Sequence, residues 1–181
     1  FINNVRDGLF GAIIVGPKGS KYRDPLTGDD VSLKNAWQAD VLVDRSLPEN
    51  NGRSDFRDAS LFFQEEDNIL GTSFMPYLQQ TAGLVGVNYR SEPWAYREDK
   101  GCEMGNMFTA CVTGESLPAT PTITAHAGDP VRIHVFGAFN EQNQVFSIEG
   151  HEWPFKPNMP GADMLSSLQF GGSEYLDVFL K

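Results

Sequence analysis

Residues 120–136 read TPTITAHAGDPVRIHVF, and the fold turns on how this stretch is read. After Gly128-Asp129-Pro130, the apolar Val131, Ile133 and Val135 alternate with Arg132, His134 and Phe136. A period of two puts successive side chains on opposite faces, which is the pattern of a half-buried strand. Gly, Asp and Pro together favour a tight turn, so fixed turn geometry is expected there. The stretch therefore predicts two strands, over 120–125 and 131–136, around a turn. His134 shares a face with Arg132 and Phe136 and is expected on half-buried sheet surface.

The same signals recur along the chain. Residues 9–15 are apolar and close at Gly16-Pro17, predicting a buried strand, while 18–30, rich in Gly, Pro, Asp and Lys, read as a surface loop or linker. Strands are expected over 39–44, 59–65, 145–148 and 175–180, with a shorter one at 87–89 and a loop over 47–55. Residues 68–86 carry a short helix around 77–81 in this reading, and 91–114 form a loop-like excursion. Short strands between Gly/Pro turns, with no internal repeat, predict an all-β sandwich or barrel.

Composition narrows the function classes. A length of 181 residues with 40% hydrophobic residues and 13 Phe supplies one full domain plus an additional segment. The net charge of -10 and pI ≈ 4.6 argue against nucleic acid, whose phosphates need a basic surface. An acidic surface attracts cations, metal ions included. No apolar run approaches the ~18 residues of a membrane span, so no span is expected. The sequence carries no nucleophile elbow, phosphate loop or dinucleotide fingerprint. The apolar start, Phe1-Ile2, and the strand-like close at Tyr175–Leu180 predict that both ends belong to something longer. Cys102 and Cys111 are compatible with a local disulfide, which would imply an oxidising compartment, or with two free thiols. Cys111 is followed by neither the His nor the Met that a Cys-ligated copper site requires, and Cys102 has Met104 and Met107 nearby but no His.

The strings DGLFGAIIV at 7–15, FRDASLFFQ at 56–64, VNYRSEP at 87–93, PATP at 118–121 and AGDPVRI at 127–133, in this order, resemble the multicopper oxidase family, built from cupredoxin domains, and within it the bacterial manganese-oxidase-like branch. Asp7-Gly8-Leu9-Phe10-Gly11-Ala12-Ile13-Ile14-Val15 is similar to the strand that closes one cupredoxin domain. FRDASLFFQ at 56–64 resembles an early strand of the next domain. VNYRSEP at 87–93, PATP at 118–121 and AGDPVRI at 127–133 are similar to strings of that branch. The resemblance implies a Greek-key β-sandwich of cupredoxin type, with a terminal strand belonging to a neighbouring domain. It divides the chain into the closing strand of a preceding cupredoxin domain (1–17), a linker (18–34), and a cupredoxin-like domain (35–181) lacking its last strands. It also implies a secreted protein, extracellular or periplasmic, that oxidises metal ions or phenolics with dioxygen. Its partners would be other cupredoxin domains or chains of the same assembly, and its copper would be held by motifs outside this segment.

The segment QVFSIEGH, 144–151, is where this chain departs from the family. The family's copper strand has the form HPxHxHGH. Its first three histidines fall here on Gln144, Ser147 and Glu149, and the last on His151. Only three histidines occur in the chain, none adjacent to another, so the multicopper centre implied by the family cannot form from them. Glu149 and His151 would share a face if the strand continued through them, which makes them the candidate metal ligands. The competing reading is a hydrogen-bonded or exposed histidine beside Trp153. His126 is expected near a turn, and Met104 and Met107 beside Cys102 are candidates for soft Cu(I) or for a plain hydrophobic anchor. Three functions remain open: a segment of a multicopper oxidase, a copper-free structural or assembly module, and a module with a changed metal site at Glu149 and His151.

Overall fold

The alternation of residues 131–136 is realised in a computed structural model that describes residues 10–34, 36–65, 84–87, 123–139, 143–157 and 159–180. Val131, Ile133 and Val135 are buried on one face of strand β5, Val131–Phe139. The other strands are β1 (Lys21–Arg23), β2 (Gln38–Leu42), β3 (Phe56–Glu65), β4 (Leu84–Val87), β6 (Gln144–Ser147), β7 (Trp153–Pro154), β8 (Met164–Leu165), β9 (Ser167–Phe170) and β10 (Tyr175–Leu180). The protein is all-β among the described residues: the one helical element there is a 3-10 turn at Pro48–Asn50. Among the described residues no helix is long and apolar enough to cross a membrane.

The main sheet runs β1-β2-β3-β5-β10, and β4 also pairs with β3. β3 and β5 are parallel, with Asp58 opposite Arg132, Ser60 opposite His134 and Phe62 opposite Phe136. β10 is antiparallel to β5 and places Asp177 opposite His134. The opposite edge of β3 is shared, with β2 pairing to its first half and β4 to its last residues. Two short ladders, β6–β9 and β7–β8, complete the pairing.

These ladders cover one face of the main sheet. Val131, Ile133 and Val135 of β5 and Leu176 and Val178 of β10 cluster with Phe146, Trp153 and Phe170. Phe63 of β3 reaches the same cluster, its ring 6.0 Å from Phe146 and 5.6 Å from Phe170. Trp153, 1% exposed, closes it. Face-to-face layers of this kind make a sandwich core.

Three expectations are corrected. Residues 123–125 form no strand and join no ladder among the described residues. The Thr124 carbonyl instead accepts a hydrogen bond from the Arg57 guanidinium. The turn that follows is as read: Gly128 has φ 92°, a left-handed value suited to glycine, and Asp129 N donates to His126 O at 3.0 Å. Residues 11–15 belong to no ladder among the described residues, and of these only Ile14 is partly covered. The Phe10 ring lies 5.5 Å from Phe62, and Ala12 and Ile14 line a recess with Tyr22, Val31 and Ser60. Ile13 and Val15 point outward, 93% and 81% exposed. Finally, residues 18–30 are not all loop. Lys21–Arg23 adds an edge strand, short and basic as edges often are. Only after it does the chain turn, where Asp24 Oδ1 accepts from Leu26 N and Thr27 N at 2.8 and 3.0 Å.

The strands expected at 39–44, 59–65, 145–148 and 175–180 correspond to β2, β3, β6 and β10. The proposed helix at 77–81, the loop at 91–114, Asn88 and Tyr89 of the short strand, Cys102, Met104, Met107 and Cys111 lie outside the described residues.

Trp153→Ala should destabilise the fold by about 3–5 kcal/mol, the range for truncating a fully buried large aromatic. Ile13→Ser should change it by less than about 0.5 kcal/mol, because an exposed side chain loses nothing on folding. Urea unfolding of the two variants tests both expectations.

Candidate functional site

β6 carries the first two positions where the resemblance expects ligands. Gln144 pairs with Phe170 and Ser147 with Ser167. Phe146 enters the core while Val145 and Ser147 face out, so Gln144 and Ser147 point to opposite faces of the strand. The strand ends at Ser147. Glu149-Gly150 then forms a turn, with Gly150 at φ 75° and His151 N donating to Ile148 O at 3.1 Å. This corrects the expectation that Glu149 and His151 share a strand face. His151 Nδ1 instead lies 3.0 Å from the carbonyl oxygen of Glu149, within hydrogen-bond range, and the imidazole is exposed. Gln144, Ser147 and Glu149 offer an amide, a hydroxyl and a carboxylate on diverging directions, a donor set that does not fit copper. Among the described residues no three of His, Cys, Asp and Glu converge to hold a metal ion.

His126 is the turn histidine that the sequence suggests. It is exposed, with Nδ1 3.3 Å from Asp129 Oδ2, and its backbone N–H donates to the same carboxylate at 3.0 Å.

The concentrated electrostatics lie elsewhere, on the face of the main sheet away from the core. Three rungs cross β3, β5 and β10 there. Phe62, Phe136 and Tyr175 form an aromatic rung, with Phe62 and Phe136 stacked at 4.8 Å. The next rung is Ser60, His134 and Asp177, and the third begins with Asp58 and Arg132. His134, 7% exposed, is held between two carboxylates. Its Nδ1 meets Asp177 Oδ1, and its Nε2 lies 3.0 Å from Asp58 Oδ1, off the line of an ideal hydrogen bond. Arg132 grips the same Asp58 with both arms of its guanidinium, Nε at 3.1 Å from Oδ1 and an Nη on Oδ2.

Burial opposes the charge on His134, but the hydrogen bonds to Asp177 and Asp58 outweigh it and push the pKa up to about 9. Burial would likewise raise Asp58, and the hydrogen bonds from His134 and Arg132 overcome it, holding the carboxyl below its ordinary value. A protonated imidazole with both nitrogens facing carboxylates has no lone pair for a metal and none to take a proton from Ser60. The cluster is therefore an ion-pair network joining three strands, and it lacks the free base of a nucleophilic triad.

No family model matches the chain, and no curated protein matches it.

Sequence reading identified the face of His134 but missed its partners. Asp177 is the one charged residue of the apolar strand β10, which is a usable signal, whereas Asp58 stands among other polar residues of β3 and is not singled out. Their convergence on His134 depends on the parallel register of β3 and β5.

Because the folded pKa of His134 is raised, the charged pairing contributes fully below pH 6.5 and is lost as pH rises through about 9. Discounting for Asp177, whose side chain is 36% exposed, the loss should be about 2 kcal/mol. Asp177→Asn should move the onset of that loss to lower pH. Urea midpoints from pH 6 to about pH 10, for both proteins, test the sign and the shift.

Proposed function

We propose that this chain is a copper-free, cupredoxin-type Greek-key module of a secreted multicopper-oxidase-like protein. In this reading neighbouring cupredoxin domains carry the copper, and the whole protein, extracellular or periplasmic, oxidises metal ions or phenolics with dioxygen. The observation that carries the reading is the fate of the ligand positions. Gln144 and Ser147 diverge across β6 and Glu149 sits in a turn, while a packed core surrounds Phe146 and Trp153. A scaffold kept without a ligand set suits a domain whose contribution is mechanical.

The exposed side of residues 12–15 supports the assembly part of this reading. Ile13 and Val15 are apolar, outward and adjacent in the period-two pattern, and the segment has no ladder partner among the described residues. A segment in no ladder among the described residues and with an apolar outer face is suited to pairing with a strand of a neighbouring domain.

Copper analysis and absorption spectroscopy of the intact parent protein test the oxidase reading. Bound copper with the blue colour of a Cys-ligated site is expected, and Glu149→Ala with His151→Ala should leave the copper content unchanged. A parent without copper would overturn the oxidase reading and leave a purely structural module. Loss of copper in the double variant would restore a metal site at Glu149 and His151. For the assembly part, Ile13→Lys with Val15→Lys should weaken domain association in the parent, read by limited proteolysis, while shifting the unfolding of this segment by less than about 0.5 kcal/mol.

A further inference from the structure

At one end of the sandwich the first residues of β3 and β5 and the last of β10 form the floor of a cleft of ≈ 830 Å³. Pockets of several hundred Å³ with mainly apolar walls and a few polar groups are the usual form of a small-molecule site. The walls here include Phe56, Val131, Pro154, Met164, Phe179 and Leu180. Three charged side chains join them: Arg53, Arg132 and Glu152.

The two arginines are not equivalent. Arg132 is engaged twice, gripping Asp58 and placing its guanidinium carbon 4.7 Å from the centre of the Phe56 ring. It forms a fixed, flat, cationic–aromatic floor whose charge Asp58 already balances. Arg53 is exposed on the rim, and its side chain has no ion-pair partner among the described residues. Its guanidinium is thus free to bind a carboxylate or sulfonate through paired N–H donors. The chain as a whole carries a charge of -10 and repels anions at long range, and with Asp58 balancing Arg132 it is the paired donors of Arg53, not a net positive lining, that would hold an anion here.

We propose that this cleft binds a small aromatic organic anion. Its flat ring lies on the apolar walls over the Arg132–Phe56 floor, and its single carboxylate or sulfonate pairs with Arg53. Glu152 disfavours a second negative group, which restricts the ligand to monoanions. This inference stands apart from the oxidase reading, since it uses none of the ligand positions of β6.

The test uses the full chain and two naphthalene probes, anilinonaphthalene sulfonate, which is anionic, and N-phenyl-1-naphthylamine, which is uncharged. The anionic probe should show saturable fluorescence at one site, competed by benzoate. Arg53→Glu should weaken it by about tenfold or more, Arg53→Lys by less, and Glu152→Gln should strengthen it. The uncharged probe should bind the wild type and Arg53→Glu alike, and Met164→Glu should weaken both probes. Circular dichroism and a cooperative urea transition matching the wild type establish that each variant is folded. Absence of saturable binding of the anionic probe to the wild type would overturn the proposal. So would Arg53→Glu and Arg53→Lys variants that bind it as the wild type does.

Discussion

The carboxylate of Asp58 is the constraint on which the sheet depends. It is buried in β3 and would be costly there alone, since a desolvated charge needs compensation. Compensation comes from Arg132 and His134, both on β5, and His134 passes the interaction on to Asp177 of β10. Arg57, the preceding residue, points to the opposite face and forks onto Asp40 of β2, at 2.8 and 3.0 Å. Two successive residues of β3 thus tie it to neighbours on both sides. A one-residue slip between β3 and β5 would separate Asp58 from both of its partners, so the network penalises the wrong register.

That specificity has a consequence for chemistry. Each polar group that could have served as a ligand or base on this face is committed to another: His134 to two carboxylates, Asp58 to two cations. The core side of the sheet is equally committed, to Phe63, Phe146, Trp153 and Phe170. What remains uncommitted lies at the margins, in the outward side chains of residues 12–15 and the rim of the cleft near Arg53. Function in this chain is therefore sought at edges and ends rather than in the middle of the sheet.

The local part of this architecture is legible in the sequence. Period-two alternation locates β5 and β10, the Gly128-Asp129-Pro130 turn is as its residues demand, and the strands at β2, β3 and β6 sit within a few residues of their patterns. What alternation cannot reveal is pairing. Residues 123–125 look like a strand, yet they join no ladder among the described residues. Residues 9–15 look buried on both sides, yet among 10–15 only Phe10 and Ile14 are partly covered. β7, β8 and β9 are too short or too irregular in sequence to announce themselves, and the cover they place over the core goes unread with them. The candidate site follows the same rule. Substitution at Gln144, Ser147 and Glu149 is visible in the sequence, whereas the end of β6 at Ser147, which removes Glu149 and His151 from a shared face, depends on where β9 stops pairing with β6.

The contrast between His134 and His151 shows why residue type alone does not define a site. His151 is exposed, beside a carboxylate in sequence, and in a string where the resemblance expects histidines. Its imidazole nevertheless turns to the backbone carbonyl of Glu149. His134 lies in a string read only as strand, yet it holds the strongest electrostatic environment among the described histidines. The difference is burial. In water a neighbouring carboxylate is screened and weak; at the interior of a three-strand rung, the same neighbour fixes both the protonation state and the orientation of the ring. A metal-binding histidine needs a neutral nitrogen directed at open space, which His134 gives up to its carboxylates. The sheet has placed the buried imidazole of His134 in the service of strand registration, and this placement leaves the middle of the sheet without a free nitrogen for a metal.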